Sequence, residues 1–150
     1  MKTILAAIDF SPVSRSVIDQ AESMAKAFSA EMIVIHVAAP DPTFVGYDAG
    51  PQAVRDVIGK ELREEHHSVQ QIAEDLRARH IKAKALLVQG PAVETILKEA
   101  ERLGADAIVV GSHRHGAVHR ALLGSVSEGV IRASQRPVLV MPAAGFEPAT

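Results

Sequence analysis

Five short apolar runs, each separated from the next by a stretch of helical periodicity, constrain this chain more than any other feature. The runs occupy 3–8, 32–37, 83–88, 107–110 and 137–141. Uninterrupted apolar runs of this length fit strands buried on both faces. The stretch after the first run carries Val13, Val17, Ile18, Ala21, Met24, Ala25 and Phe28, the stripe of an amphipathic helix. Ser11 and Pro12 stand before it as a cap and a first helical residue. A long charged helix is predicted over 52–79, with Val54, Ile58, Leu62, Val69, Ile72 and Leu76 inward. Gly90-Pro91 opens a third helix, with Val93, Ile96, Leu97 and Ala100 inward and Gly104 as its stop. A fourth runs from Gly124-Ser125 to about Ala133. Residues 40–50, rich in Pro, Asp and Gly, read as a loop, as does 112–123. Strand and helix in strict alternation call for an α/β fold, a parallel sheet with helices on both faces and right-handed crossovers.

Composition narrows the function classes. A chain of 150 residues suits one domain with a substantial core, here 1–142, with 143–150 an aperiodic, disordered tail. At 47% hydrophobic and 23% charged residues, it falls in the range of ordinary globular proteins. A formal charge of -2 gives no attraction to nucleic acid or to an anionic membrane. One tyrosine, four phenylalanines and no tryptophan provide no base-stacking platform. The lack of cysteine excludes disulfides and thiolate catalysis and fits a reducing compartment. The run before Asp9 is too short for a secretory signal. No window approaches the ~18 apolar residues of a membrane span. The expected location is the cytoplasm.

In an open parallel sheet, ligands sit beyond the carboxyl ends of the strands where strand order reverses. Asp9 ends the first run, Gly111 ends the fourth, and Gly124-Ser125-Val126-Ser127 starts the last helix. A helix start holds unpaired N–H groups and partial positive charge, so it can bind an anion without a lysine. The serines there either cap the helix or bond a phosphate oxygen. Asp9 either accepts two ribose hydroxyl protons or caps the helix that follows. Gly111 either belongs to the site or makes the turn after a buried strand. His113, His115 and His119 cluster in the 112–123 loop, but Arg114 and Arg120 would repel a metal ion there. That loop reads as a solvated basic segment, and no metal site is assigned. His66 and His67 are expected on the exposed face of the long helix. No Walker loop, G-x-G-x-x-G or G-x-S-x-G motif occurs. The third run ends Leu87-Val88-Gln89 without the aspartate of a phosphoacceptor domain. The chain is expected not to be an enzyme, with ATP turnover slow and incidental at most.

Ile4-Leu5-Ala6-Ala7-Ile8-Asp9-Phe10-Ser11, Ile35-His36-Val37, Ile108-Val109-Val110-Gly111-Ser112-His113, Leu122-Leu123-Gly124-Ser125-Val126-Ser127-Glu128 and Arg136-Pro137-Val138-Leu139-Val140 resemble, in order, the segments of universal stress proteins. The resemblance implies five strands in the order 3-2-1-4-5 and, in many members, bound ATP or AMP with magnesium beside the phosphates. In the ATP-binding members, the motif is Gly, two residues, Gly, nine residues, Gly, then Ser or Thr. Gly111, Gly124 and Ser125 match it, whereas Arg114 stands where the middle glycine belongs and Gly116 comes two residues late. Arginine there either blocks a bare-backbone approach or donates to phosphate. By resemblance, Ala7, Ile8 and Val37 flank adenine, Asp9 and Gly111 meet ribose, and Gly124, Ser125, Val126 and Ser127 meet phosphates, with Arg114 beside them. Two roles follow: a nucleotide-binding stress-response regulator, or a nucleotide-free dimeric interaction module. A homodimer is expected in either case, the alternative being a monomer whose C-terminal tail folds over the last strand. The last run is apolar, uncharged and at a sheet edge, and pairing it with its own copy would bury Val138, Val140 and Met141.

Overall fold

The computed structural model describes residues 1–39, 52–112 and 124–143, with backbone alone for 52–55. The 40–50 loop, the Val54 side chain, the His113/Arg114/His115/His119 segment and most of the tail lie outside what is described. The elements are β1 (Thr3–Ile8), α1 (Val13–Phe28), β2 (Glu31–Ala38), α2 (Gln52–Ala78), β3 (Ala83–Gln89), α3 (Ala92–Arg102), β4 (Ala107–Gly111), α4 (Ser125–Ala133) and β5 (Val138–Met141). All neighbouring strands are parallel, in the order β3-β2-β1-β4-β5. The expected α/β architecture and strand order hold.

Alternate residues of each central strand feed opposite cores. Ile4, Ala6 and Ile8 of β1 pack with Val17 and Ala21 of α1 and with Val69, Ala73 and Leu76 of α2. Leu5, Ile35, Ile108 and Val110 face the other way, onto Ile96 and Ala100 of α3 and Val130 of α4. The apolar runs are continuous because both faces are covered. Phe28 departs from the expected stripe, for it is 52% exposed. It ends α1 beside the left-handed Ser29, where the chain turns away toward β2. His66 and His67 lie on the exposed face of α2.

Three helices end the same way. The N–H groups of Ala30, Ile81 and Ala105 donate to the carbonyls of Ala25, Leu76 and Ala100, five residues back. Left-handed Ser29, His80 and Gly104 stand just before each donor. These are Schellman closures, in which buried Ala30, Ile81 and Ala105 meet buried residues of the last turn. The amino edge is tied too. Asp106 Oδ2 accepts the backbone N–H groups of Lys2 and Thr3 at 2.7 and 2.9 Å. Among the described residues, no helix is long and apolar enough to cross a membrane.

Candidate functional site

β1 and β4 lie side by side, yet the chain leaves β1 toward α1 on one face and approaches α4 on the other. That divergence opens a crevice at their carboxyl ends. A cavity of about 360 Å³ occupies it. Ala7, Ile8 and Asp9 enter from β1, Val37 from β2, Gly111 from β4, and Gly124, Ser125, Val126 and Ser127 from the start of α4. Of the residues singled out for nucleotide binding in the sequence, all those described line this one cavity. Arg114 lies outside the described residues.

The cavity has chemically distinct parts. Its inner wall is apolar, built by Ala7, Ile35, Val37, Ile96 and Val110. Ile35, Ile96 and Val110 were not foreseen as site residues, since by pattern they are ordinary core. One signal was available for Ile35: it lies two residues before Val37 on a strand and so shares its face. Val13, Ser14, Val17 and Ala92 complete the lining.

Asp9 sits at the mouth and has a structural task. Its Oδ1 accepts the Ser11 N–H at 2.9 Å and the Ser14 hydroxyl at 3.2 Å, and its own N–H donates to Ser14 Oγ at 3.3 Å. The expected side-chain cap by Ser11 is therefore not made. Among the described residues, no side chain caps the start of α1 and Ser11 Oγ has no hydrogen-bond partner, while Asp9 organises the turn. The physical reason is that a carboxylate accepts more strongly than a hydroxyl. Pro12 then enters the helix with φ -56°.

Gly111 is required for packing. A Cβ there would stand 2.5 Å from Val13 Cγ1 and 3.3 Å from Val17 Cγ2. Its bare backbone lets the first turn of α1 close over the tip of β4. The turn reading of this glycine gives way to a steric one.

Among the described residues, no side chain caps the start of α4. Gly124, at the N-cap with φ -62° and ψ 157°, offers no side chain to the first amides. The Glu128 N–H makes its helical bond to the Gly124 carbonyl at 2.9 Å. The N–H groups of Ser125, Val126 and Ser127 precede that bond. The Ser127 side chain is buried and donates its hydroxyl proton to the Gly124 carbonyl at 2.9 Å. Ser127 thus fixes the helix start through its side chain. Glu128, a charge that would oppose an anion, pairs along the helix with Arg132 at 2.7 Å. Asp9 is the one charged residue among the described lining, so positive potential comes from the α4 backbone.

The family model described as the universal stress protein family matches residues 1–142. Universal stress protein MJ0531 of Methanocaldococcus jannaschii is 33% identical, over 93% of this chain and 81% of its own length. The solved structure of MJ0577, from the same organism, superposes with a TM-score of 0.81 at 30% identity, covering 97% of this chain and 98% of that one. A universal stress protein solved in complex with cAMP shares the fold, with a TM-score of 0.65 at 23% identity over 93% of this chain and 95% of that one. With the family model spanning both core layers and the whole crevice, this chain belongs to the universal stress protein family.

Proposed function

We propose that the chain is an adenine-nucleotide-binding regulatory protein of the stress response, acting in the cytoplasm and holding ATP or AMP in the crevice between β1 and β4. One observation carries this reading: an apolar slot, a carboxylate and an uncapped helix start share a cavity of about 360 Å³. That volume falls in the range of small-molecule sites. The apolar wall suits a flat base between Ala7, Ile8 and Val37. Asp9 and the backbone of Gly111 suit ribose hydroxyls. The amides of Ser125, Val126 and Ser127 suit phosphate oxygens, and Arg114 either obstructs the phosphates or donates to them. The fold's capacity to hold a cyclic adenine nucleotide in one relative supports the ligand class.

Magnesium fits only through the ligand. Among the described residues, no group of three metal-ligating side chains comes together. Mg²⁺ commonly keeps several waters and binds through phosphates and one or two carboxylates. Asp9 is the carboxylate of this lining. The reading is one of binding, with nucleotide occupancy setting conformation or partner choice rather than serving turnover.

Mass spectrometry of the gently purified protein and calorimetry with ATP and AMP test it. The expected result is retained or titratable adenine nucleotide. Gly124→Val should lower affinity at least about tenfold, because a branched side chain would enter the phosphate position. The fold should survive, since the backbone angles at Gly124 suit any residue. Arg114→Gly should tighten binding if arginine obstructs and weaken it if arginine donates. No binding by the parent or by Arg114→Gly sinks the nucleotide reading and leaves the interaction module.

A further inference from the structure

Phe10, directly after Asp9, holds φ 61°. For a bulky aromatic residue that is a true outlier, so something must hold it there. The residue is 41% exposed and is not anchored in the core. It leans on His36, with ring centroids 4.6 Å apart and planes at 50°.

His36 is a buried polar residue at the carboxyl end of β2 and the register partner of Ile8. Its Nδ1 lies 2.9 Å from the Ile8 carbonyl oxygen. A carbonyl only accepts, so Nδ1 carries the proton and donates it. Nε2 then points at α2 and stands 3.4 Å from Glu65 Oε2, a buried atom with no hydrogen-bond partner among the described residues. The imidazole therefore spans from the tip of β1 to the long helix. It fixes the last carbonyl before Asp9 and supports the strained ring after it.

We propose that His36 is a positioning residue for the cavity: its Nδ1–H bond to Ile8 and its ring under Phe10 hold the left-handed turn that aims the Asp9 carboxylate at the ligand. His36 does not line the cavity and acts through Ile8, Phe10 and Asp9. Its effect on ligand affinity rests on the nucleotide reading above, whereas its effect on the turn does not.

Two variants of the full chain separate the parts. His36→Phe keeps the ring stack and removes the donor. His36→Asn places an amide N–H near the Nδ1 position and keeps the donor. Hydrogen exchange at the Ser11 amide, which is bonded to Asp9 Oδ1, reads the turn without ligand. ATP calorimetry reads the site. His36→Phe should lower Ser11 protection about five- to tenfold and weaken ATP by a similar factor, and His36→Asn, which keeps the donor but loses the ring, should recover part of both. Nitrogen shifts of the parent imidazole should report a protonated Nδ1. An unprotonated Nδ1, unchanged Ser11 protection in His36→Phe, lost protection with ATP affinity unchanged, or no recovery by His36→Asn would each overturn the proposal. If His36→Phe does not fold, the Nδ1 proton and the His36→Asn measurements decide alone. If the parent binds no ATP, the nucleotide reading fails, and Ser11 protection decides the positioning role.

Discussion

At Gly111 and Glu22, the surroundings of a single residue fix its role. Gly111 can accept no Cβ while Val13 keeps its place, 2.5 Å from where that atom would stand. Gly111→Ala should therefore destabilise the fold by about 1–3 kcal/mol through overpacking. Val13→Ala made together with it should recover part of the loss, a coupling that a double-mutant cycle in urea melts would read. Additive losses would mean that α1 and β4 do not touch there as described. Glu22 is an ionic counterpart. Arg79 donates to both carboxylate oxygens, Nε at 3.0 Å and Nη2 at 2.9 Å, and Lys26 Nζ lies 3.0 Å away. The Arg79 hydrogen bonds outweigh the upward push of burial and, helped by Lys26, bring Glu22 down from 4.5 to about 2. A folded value below the unfolded one stabilises the native state above pH 4.5, and that contribution is lost as pH falls toward 2. Glu22→Gln should cost about 1–2 kcal/mol near neutral pH and almost nothing at about pH 2. Urea midpoints at the two pH values check it. An equal cost at both would show that the charge is not what matters.

Among the elements, helix ends are where the fold carries strain. α1, α2 and α3 close with the same bond pattern, yet only α3 has a glycine, Gly104, at the left-handed position. Ser29 and His80 adopt φ 51° and 65°, a conformation that costs an L-residue roughly 1 kcal/mol. Ser29→Gly and His80→Gly should each stabilise the protein by about 0.5–1 kcal/mol, seen as a higher melting temperature. A fall in melting temperature in either would mean that the side chain contributes more than the strain costs. These ends also mark a limit of legibility. The strands were readable to within a residue because two covered faces leave an uninterrupted apolar run. The edges of β2 extend to Glu31 and Ala38 because backbone pairing with Thr3 and Gln89 continues past the apolar side chains. Gly104 announces a helix stop, whereas serine and histidine carry no such signal. In the site, strand tips and the α4 glycine were readable from topology and helix-terminus chemistry. The apolar wall was not, since Ile35, Ile96 and Val110 are core residues by every local criterion. His36 entered the sequence reading only through a family resemblance, because its work depends on a carbonyl 28 residues away.

For the whole molecule, the question is the outer edge of β5. The carbonyls of Pro137 and Met141 accept from the N–H groups of Ile108 on β4 and of Ser112 just past its end. Backbone groups alternate in direction along a strand, so those of Val138 and Val140 point to the opposite edge. Among the described residues, no strand pairs there. Val138 and Val140 pack partly on the α3/α4 core and Met141 on the other, which leaves Leu139 the most exposed side chain of the strand, at 38%. A short apolar edge without charge invites a second strand, and pairing with its own copy about a two-fold axis satisfies both chains at once. The expected state is a homodimer joined through β5, with the donor of Val140 in the joint. Val140→Pro removes that outward N–H and leaves the β4 ladder intact, a substitution that sheet edges accept. Val140→Ala serves as the control for lost packing. In sedimentation at high micromolar concentration, the parent and Val140→Ala should run as dimers and Val140→Pro as a folded monomer. A monomeric parent rules the dimer out, and a Val140→Pro dimer as tight as that of Val140→Ala places the joint elsewhere than this edge.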